Sequence, residues 1–283
     1  MDWQSNDFLR EGVRLRFWRK GNPNGVPVLL LHGITDSGRM WGRVADGLSE
    51  YGFDVIALDQ RGHGSSEVPD EGYSYDDYAQ DALGLLSHLR KSPAIVMGHS
   101  FGGLISMWLG AHYPQVVTKL VLVDPPLFNF SGSADEWHDW RQNYFQWLRD
   151  MKPKSAAQIM AEKKVESPGW SDDERTHYAN ARLAASLRLS ERGGITFYSD
   201  WQNLFARFEC PTLLVYGDKD LGSIISDETA AEAKTLLRDG HMIKIANTGH
   251  SLLRDDAPAF MAAVLPFVTS STLVELAQPP HTP

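Results

Sequence analysis

The sequence is short of the features that mark secreted, membrane-spanning or nucleic-acid-binding chains. It has one cysteine, Cys210, in 283 residues, so no disulfide can form within the chain. Cys210 precedes Pro211 at the start of an apolar run and reads as a small buried filler. No apolar run approaches the roughly 20 residues that span a bilayer. The N-terminal "MDWQSNDFLREG" is polar and acidic, without the apolar centre of a signal peptide. Basic residues number 27 against 36 acidic ones, a formal net charge of −9. That balance argues against an electrostatic grip on nucleic acid. There is no internal repeat and no low-complexity tract. No histidines, cysteines and acids stand at metal-ligand spacing. These absences point to a soluble cytoplasmic protein acting on a small molecule. They imply no metal or other cofactor and no nucleic-acid or membrane partner, and they leave the oligomeric state open.

What the chain does have is a rhythm. Residues 13–21, "VRLRFWRKG", alternate and predict an opening antiparallel strand. The apolar runs "VPVLLLHG", "FDVIALD", "IVM" (95–97) and "TKLVLVD" (118–124) follow, separated by helical stripes. Met40, Val44, Leu48 and Tyr51 form one stripe. Tyr78, Ala82, Leu85 and Leu89 form another, begun by Ser74 with Asp77 as a helix-start box. Near-continuous apolar strands between helices predict a parallel sheet covered on both faces. After Pro126 the rhythm breaks. Residues 127–205 are helical in composition and carry Trp137, Trp140, Trp147, Trp170 and Trp201. Alternation returns with "PTLLVYG" (211–217), a helix over 230–237, "HMIKIAN" (241–247) and a last helix from near Pro258. The expected organisation is a core domain of residues 1–126 and 206–269. A helical cap at 127–205 interrupts it, and 270–283 form a disordered tail. Trp137, Trp140 and Trp147 are candidates to line the underside of that cap and meet substrate.

The chemistry concentrates at Gly98-His99-Ser100-Phe101-Gly102. An apolar strand precedes this stretch, and Leu104, Ile105, Trp108 and Leu109 recur behind it at helical spacing. Ser100 therefore stands on a sharp strand-to-helix turn, and Gly98, Gly102 and Gly103 let backbones approach closely. A serine hydroxyl needs a base, an acid to orient the base, and donors for the oxyanion. Among ten histidines, His250 in "NTGHSLLRD" follows the last strand and so lies at the same sheet edge as Ser100. His99 flanks the serine and is expected to point away. His63, in "DQRGHGSS", reads as structural, with Asp59 and Arg61 as a loop-bracing pair. His112, His138, His177 and His241 read as surface or cap residues. The oxyanion donors would be the backbone N–H groups of Ile34 and Phe101, with Gly33 letting its loop pass close to the reacting carbonyl.

In this order, "HG", "DQRGHGSS", "GHSFGG", "YGDKD" and "TGHS" resemble the α/β-hydrolase superfamily over about residues 10–269. The resemblance implies an eight-stranded, mostly parallel sheet with helices on both faces and a cap inserted after strand 6. The serine at the elbow sets the chain apart from dehalogenases and epoxide hydrolases, which carry aspartate there. The superfamily's usual acid follows the seventh strand, which here offers Asp220. In some amide-cleaving relatives the acid ends the sixth strand, which here offers Asp124 in "LVLVDPPL". The chain is similar to those relatives, the N-formylmaleamate deformylase and (acetamidomethylene)succinate hydrolase group, in "DQRGHGSSEVPDEGYSYDDYAQD" and "DPP". After Asp220 it runs "LGSIIS", without the Val-Pro that often follows the usual acid. Asp124 is therefore preferred and Asp220 kept as the alternative. If the substrate is a dicarboxylate, as in that group, a cap arginine should pair with it; Arg141, Arg149, Arg182 and Arg188 are the candidates. The expected function is a serine hydrolase cleaving a small ester or amide through an acyl-enzyme. A carbon–carbon bond hydrolase or lyase on the same residues is the second reading, and a non-catalytic ligand receptor the third.

Overall fold

The computed structural model describes residues 2–127, 134–191 and 200–270, with the backbone alone over 134–141, 144 and 190–191. In chain order the elements are β1 (Gln4–Arg10), β2 (Val13–Gly21), β3 (Pro27–Leu31), α1 (Gly42–Glu50), β4 (Asp54–Leu58) and α2 (Tyr75–Leu89). Then come β5 (Ala94–His99), α3 (Phe101–His112), β6 (Val117–Val123), α4 (Ala134–Met151), α5 (Ala156–Glu166), α6 (Asp172–Ala184), α7 (Arg188–Glu191) and α8 (Trp201–Phe205). The chain closes with β7 (Thr212–Tyr216), α9 (Asp227–Leu236), β8 (Gly240–Lys244), α10 (Leu252–Asp255) and α11 (Ala257–Thr269). The strands form one eight-stranded sheet in the order β1-β2-β4-β3-β5-β6-β7-β8. β1 and β2, and β2 and β4, pair antiparallel; every other pairing is parallel.

The sheet is buried on both faces, and successive residues of each inner strand serve opposite cores. Leu29, Leu31, Ile56, Leu58, Val96, Leu120, Leu122 and Leu214 pack with α2, α3 and α8. Val28, Leu30, Val55, Ala57, Ile95, Met97, Val121, Val123, Leu213 and Val215 pack with α1 and α11. α2 starts on a reciprocal cap: the Ser74 hydroxyl accepts from Asp77 N–H, and the Asp77 carboxylate accepts from Ser74 N–H.

Two local expectations need correction. The sheet opens with β1, one strand earlier than the alternating segment at 13–21. β1 is an edge strand whose residues are mostly exposed, with Phe8 the one buried, so it carries no alternation to read. Tyr51 does not belong to the buried stripe of α1; it lies past the helix end and is largely exposed, while Met40, Val44 and Leu48 are buried.

α4 to α8 all lie between β6 and β7. Their described contacts reach loops and helices that follow the carboxyl ends of the inner strands. Ser186 N–H donates to Gly62 O beyond β4, and Arg43 of α1 pairs with Glu174 of α6. Trp170 Nε1 donates to Asp255, which ends α10. Among the described residues no helix is long and apolar enough to cross a membrane. The expected tail lies, from residue 271 on, outside the described residues.

The turn from β5 into α3 depends on absent side chains. A β-carbon on Gly102 would stand 2.1 Å from Leu31 O of β3, and one on Gly98 would stand 2.2 Å from Gly102 O. Gly102→Ala must therefore push α3 off the sheet. It is expected to cost at least about 2 kcal/mol in urea unfolding. Gly169→Ala, where a β-carbon would meet nothing within 4 Å, is expected to leave stability unchanged.

Candidate active site

Ser100 sits one residue past the end of β5, with φ 53° and ψ −117°. Such a backbone is costly for any residue with a β-carbon and persists only where its surroundings hold it. Here Ser100 N–H donates to Val123 O at 2.9 Å, and Leu104 N–H donates to Ser100 O at 3.2 Å as α3 begins. Asp124, one residue past β6, repeats the pattern with φ 43° and an N–H bond to Val215 O at 2.8 Å. Adjacent parallel strands thus place both residues at their carboxyl edge.

His250, on the loop after β8, reaches the same edge. Its Nδ1 meets Asp124 Oδ2 at 2.6 Å. Asp124 has no exposed surface. Its carboxylate also accepts from the Ser223 hydroxyl at 2.7 Å, Ile224 N–H at 2.9 Å and Ile225 N–H at 3.0 Å. Burial pushes this carboxyl up, but His250, the two amides and the hydroxyl outweigh it, and its pKa lies below the ordinary value. Asp220, the alternative acid, is exposed on the turn after β7, and the structure does not bring it to His250. The segment "LGSIIS" supplies Ser223, Ile224 and Ile225 as Asp124's partners. The departure from Val-Pro is thus the feature that serves the sixth-strand acid.

The loop after β3 closes against this edge. A β-carbon on Gly33 would lie 3.4 Å from Ser100 Cβ and 3.2 Å from His99 Nδ1. Among the described residues, the N–H groups of Ile34 and Phe101 have no hydrogen-bond partner. Phe101 N–H is one of the orphan donors of the α3 N-terminus. Its ring is locked edge-to-face on Tyr78, centroids 5.0 Å apart.

His99 does not point away from the site. Its ring lies 4.6 Å from that of His250, and its Nε2–H donates to His250 O at 2.8 Å. Burial first, then the neighbouring His250, lowers its pKa to about 3, so it is a neutral brace. Nor are Asp59 and Arg61 a pair. Asp59 accepts from Trp18 Nε1, Gly38 N–H and Ser65 N–H, and Arg61 makes a two-point ion pair with Asp81 of α2. Each is thereby pulled to its own side of the loop. His177, on α6, is half-buried and accepts from Arg39 at 3.2 Å. Cys210 is only half-buried.

The four arginines diverge. Arg149 is exposed, and Arg188 pairs with exposed Asp70. The Arg141 side chain, like those of Trp137, Trp140 and His138, lies outside the described residues. Arg182 is largely buried, with its guanidinium 3.3 Å from the centre of the Tyr178 ring, 3.6 Å from Asp36 Oδ2 and 3.4 Å from Thr35 O. It therefore borders the Gly33–Ile34 loop, beside Trp147, whose ring centre is 5.9 Å away. Among the described residues no group of His, Cys, Asp and Glu side chains could hold a metal ion.

A family profile for the alpha/beta hydrolase fold matches residues 26–257. The chain belongs to the α/β-hydrolase family. This α/β-hydrolase, an enzyme by its family, is 27% identical over 254 residues to the N-formylmaleamate deformylase of Pseudomonas putida, covering 89% of this chain and 91% of the relative. It is 39% identical over 112 residues to the 2-(acetamidomethylene)succinate hydrolase of Mesorhizobium japonicum, 40% of this chain and 39% of that protein. The crystal structure of an N-formylmaleamic acid deformylase from Pseudomonas putida S16 superposes with a TM-score of 0.75 at 25% identity, covering 92% of this chain and all of that one.

Ser223 and His99 were not singled out from the sequence as partners of the site. A hydroxyl followed by free backbone amides just past strand 7 is the signal that could have found Ser223. Because His250, the Ile224 amide and the Ser223 hydroxyl outweigh burial and hold the Asp124 pKa below the ordinary carboxylate value, its stabilising contribution is full above that value. It is lost as pH falls through the depressed folded value. Ser223→Ala is expected to cost about 1.5–3 kcal/mol at pH 7. In urea titrations across pH, the gap to wild type should narrow below about pH 4.

Proposed function

We propose that this α/β-hydrolase cleaves a small carboxylic ester or amide through an acyl-enzyme formed on Ser100. The observation that carries the reading is the 2.6 Å bond from His250 to buried Asp124 at the edge where Ser100 stands. His250 takes the Ser100 proton as the hydroxyl attacks the carbonyl. Asp124 holds the imidazole with its Nδ1 proton committed, leaving Nε2 as the base, and stabilises the imidazolium that forms. The Ile34 and Phe101 N–H groups receive the oxyanion, each worth about 3 kcal/mol of barrier. His250 then protonates the leaving group, and water releases the acyl group by the same steps in reverse.

The helices between β6 and β7 act as the cap. Of the residues expected to meet substrate, Trp147 and Arg182 are supported by position, since Arg182 touches both Thr35 O and the Tyr178 ring beside the Gly33–Ile34 loop. An apolar wall and one guanidinium suit a substrate with a carboxylate remote from the scissile bond. The deformylase and the (acetamidomethylene)succinate hydrolase among the relatives favour an N-acyl bond.

The test is turnover of a panel of p-nitrophenyl esters and anilides, with and without a distal carboxylate. Ser100→Ala is expected to abolish it. Asp124→Asn should lower kcat about 10⁴-fold, and Asp220→Asn should stay within about twofold of wild type, as surface changes do. Turnover that survives Ser100→Ala would overturn the reading. Arg182→Gln is expected to raise KM about tenfold for carboxylate-bearing substrates, the scale of one charge-assisted bond, and to leave neutral esters unaffected. Equal effects on both classes would remove Arg182 from the substrate site.

A further inference from the structure

The Ile34 N–H can serve an oxyanion only if its peptide plane is held, and two buried histidines grip the carbonyl of that peptide and of the next. We propose that His32 and His63 are positioning residues for the Ile34 amide, an inference that rests on the serine-hydrolase reading above.

A trans peptide is planar, so the Ile34 N–H points opposite to the Gly33 carbonyl. Whatever fixes Gly33 O therefore aims Ile34 N–H. Gly33 O accepts from His32 Nδ1 at 2.7 Å and from Asp36 N–H at 2.9 Å. The His32 tautomer is set from outside: its Nε2 accepts from Gln60 N–H at 3.0 Å, so the single proton of a neutral ring belongs on Nδ1. The Gln60 side-chain amide, 3.2 Å from that Nδ1, is committed to His32 O at 2.8 Å. The same glutamine thus holds ring and main chain together.

The next peptide is held by His63. Its Nε2 meets Ile34 O at 2.5 Å, and its Nδ1 faces Arg61 O at 2.9 Å. A neutral ring carries one proton, and with that proton on Nε2 it donates to Ile34 O. The two rings pack edge-to-face with centroids 5.0 Å apart. Both are buried, at 0% and 1% exposure. Burial lowers His32 to about pKa 3 and His63 below its usual value, so neither carries charge at neutral pH. Two consecutive carbonyls are pinned on one side of the loop. On the other side Gly33, lacking a β-carbon, lies against Ser100. Neither histidine needs to touch substrate. Each acts through the backbone it grips.

The experiment compares His32→Leu with His32→Asn, whose Nδ2 can replace the Nδ1 donor, and His63→Leu with His63→Gln, whose Nε2 can replace the ring Nε2. Steady-state turnover, inhibition by a phenylboronic acid that forms a tetrahedral adduct, and thermal unfolding are read for each. Both leucine variants are expected to lose about tenfold to a hundredfold in kcat, a fraction of the loss on removing an oxyanion donor outright. KM should stay within about twofold, and boronate affinity should fall in proportion to kcat. The amide variants should recover most of both. Should His32→Leu fail to fold, the His63 pair decides by the same criteria. The inference is overturned if the leucine and amide variants lose equally, if KM moves instead of kcat, or if the boronate binds unchanged. Failure of the underlying reading looks different: Ser100→Ala would then still turn over.

Discussion

Asp124 is ionised at neutral pH yet has no exposed surface, so protein donors must meet its charge entirely. Most of the architecture around Ser100 follows from that requirement. The donors come from two loops that meet only when β6, β7 and β8 lie side by side in parallel. The loop after β7 gives a hydroxyl and two amides, and the loop after β8 gives an imidazole. Removing any one leaves the others to hold a buried charge. The His250 ring is oriented because the carboxylate it bonds has nowhere else to turn. Ser100 is held by the same edge, since its N–H closes on the carbonyl just before Asp124.

A second buried carboxylate ties the helical segment to this edge. Asp36, two residues beyond Ile34, makes a bidentate pair with Arg254 of α10 and lies 3.6 Å from Arg182 of α6. Burial raises the Asp36 carboxyl, and the guanidinium groups more than reverse that, holding it far below the ordinary range. Arg254 stacks on Trp170, and Arg182 on Tyr178. One acid therefore joins the loop carrying a proposed oxyanion donor, the helix after His250, and the segment proposed to cover substrate. Asp36 thus connects the loop beside Ser100 to α6 and α10.

Much of the fold was legible because buried parallel strands leave unbroken apolar runs, and the helices between them leave stripes with sharp starts such as Ser74 and Asp77. β1 was not legible, because an exposed edge strand needs only one inward residue, Phe8, and gives no period. Tyr51 misled for the converse reason: helical spacing continues past the residue where the helix ends. The Asp59 and Arg61 pairing failed because neighbours in sequence on a tight loop face opposite sides. Three donors drew one inward under β2, and Asp81 drew the other toward α2.

At the candidate site, the sequence by itself determined the kinds of residue and the edge they share. The elbow glycines permit the sharp turn at Ser100, and strand-terminal positions put Asp124, Asp220 and His250 at one end of the sheet. It left two acids open, since both end a strand at that edge and local pattern carries no distance. The tertiary structure decided which acid His250 meets. It also showed that His99 braces His250 and that Arg182 is drawn in against Asp36 and Tyr178. Those outcomes depend on where loops far apart in sequence come to rest when the strands align, as Ser223 does against Asp124, 99 residues away. A buried charge selects among those arrangements by the donors it can reach, and that information exists only after folding.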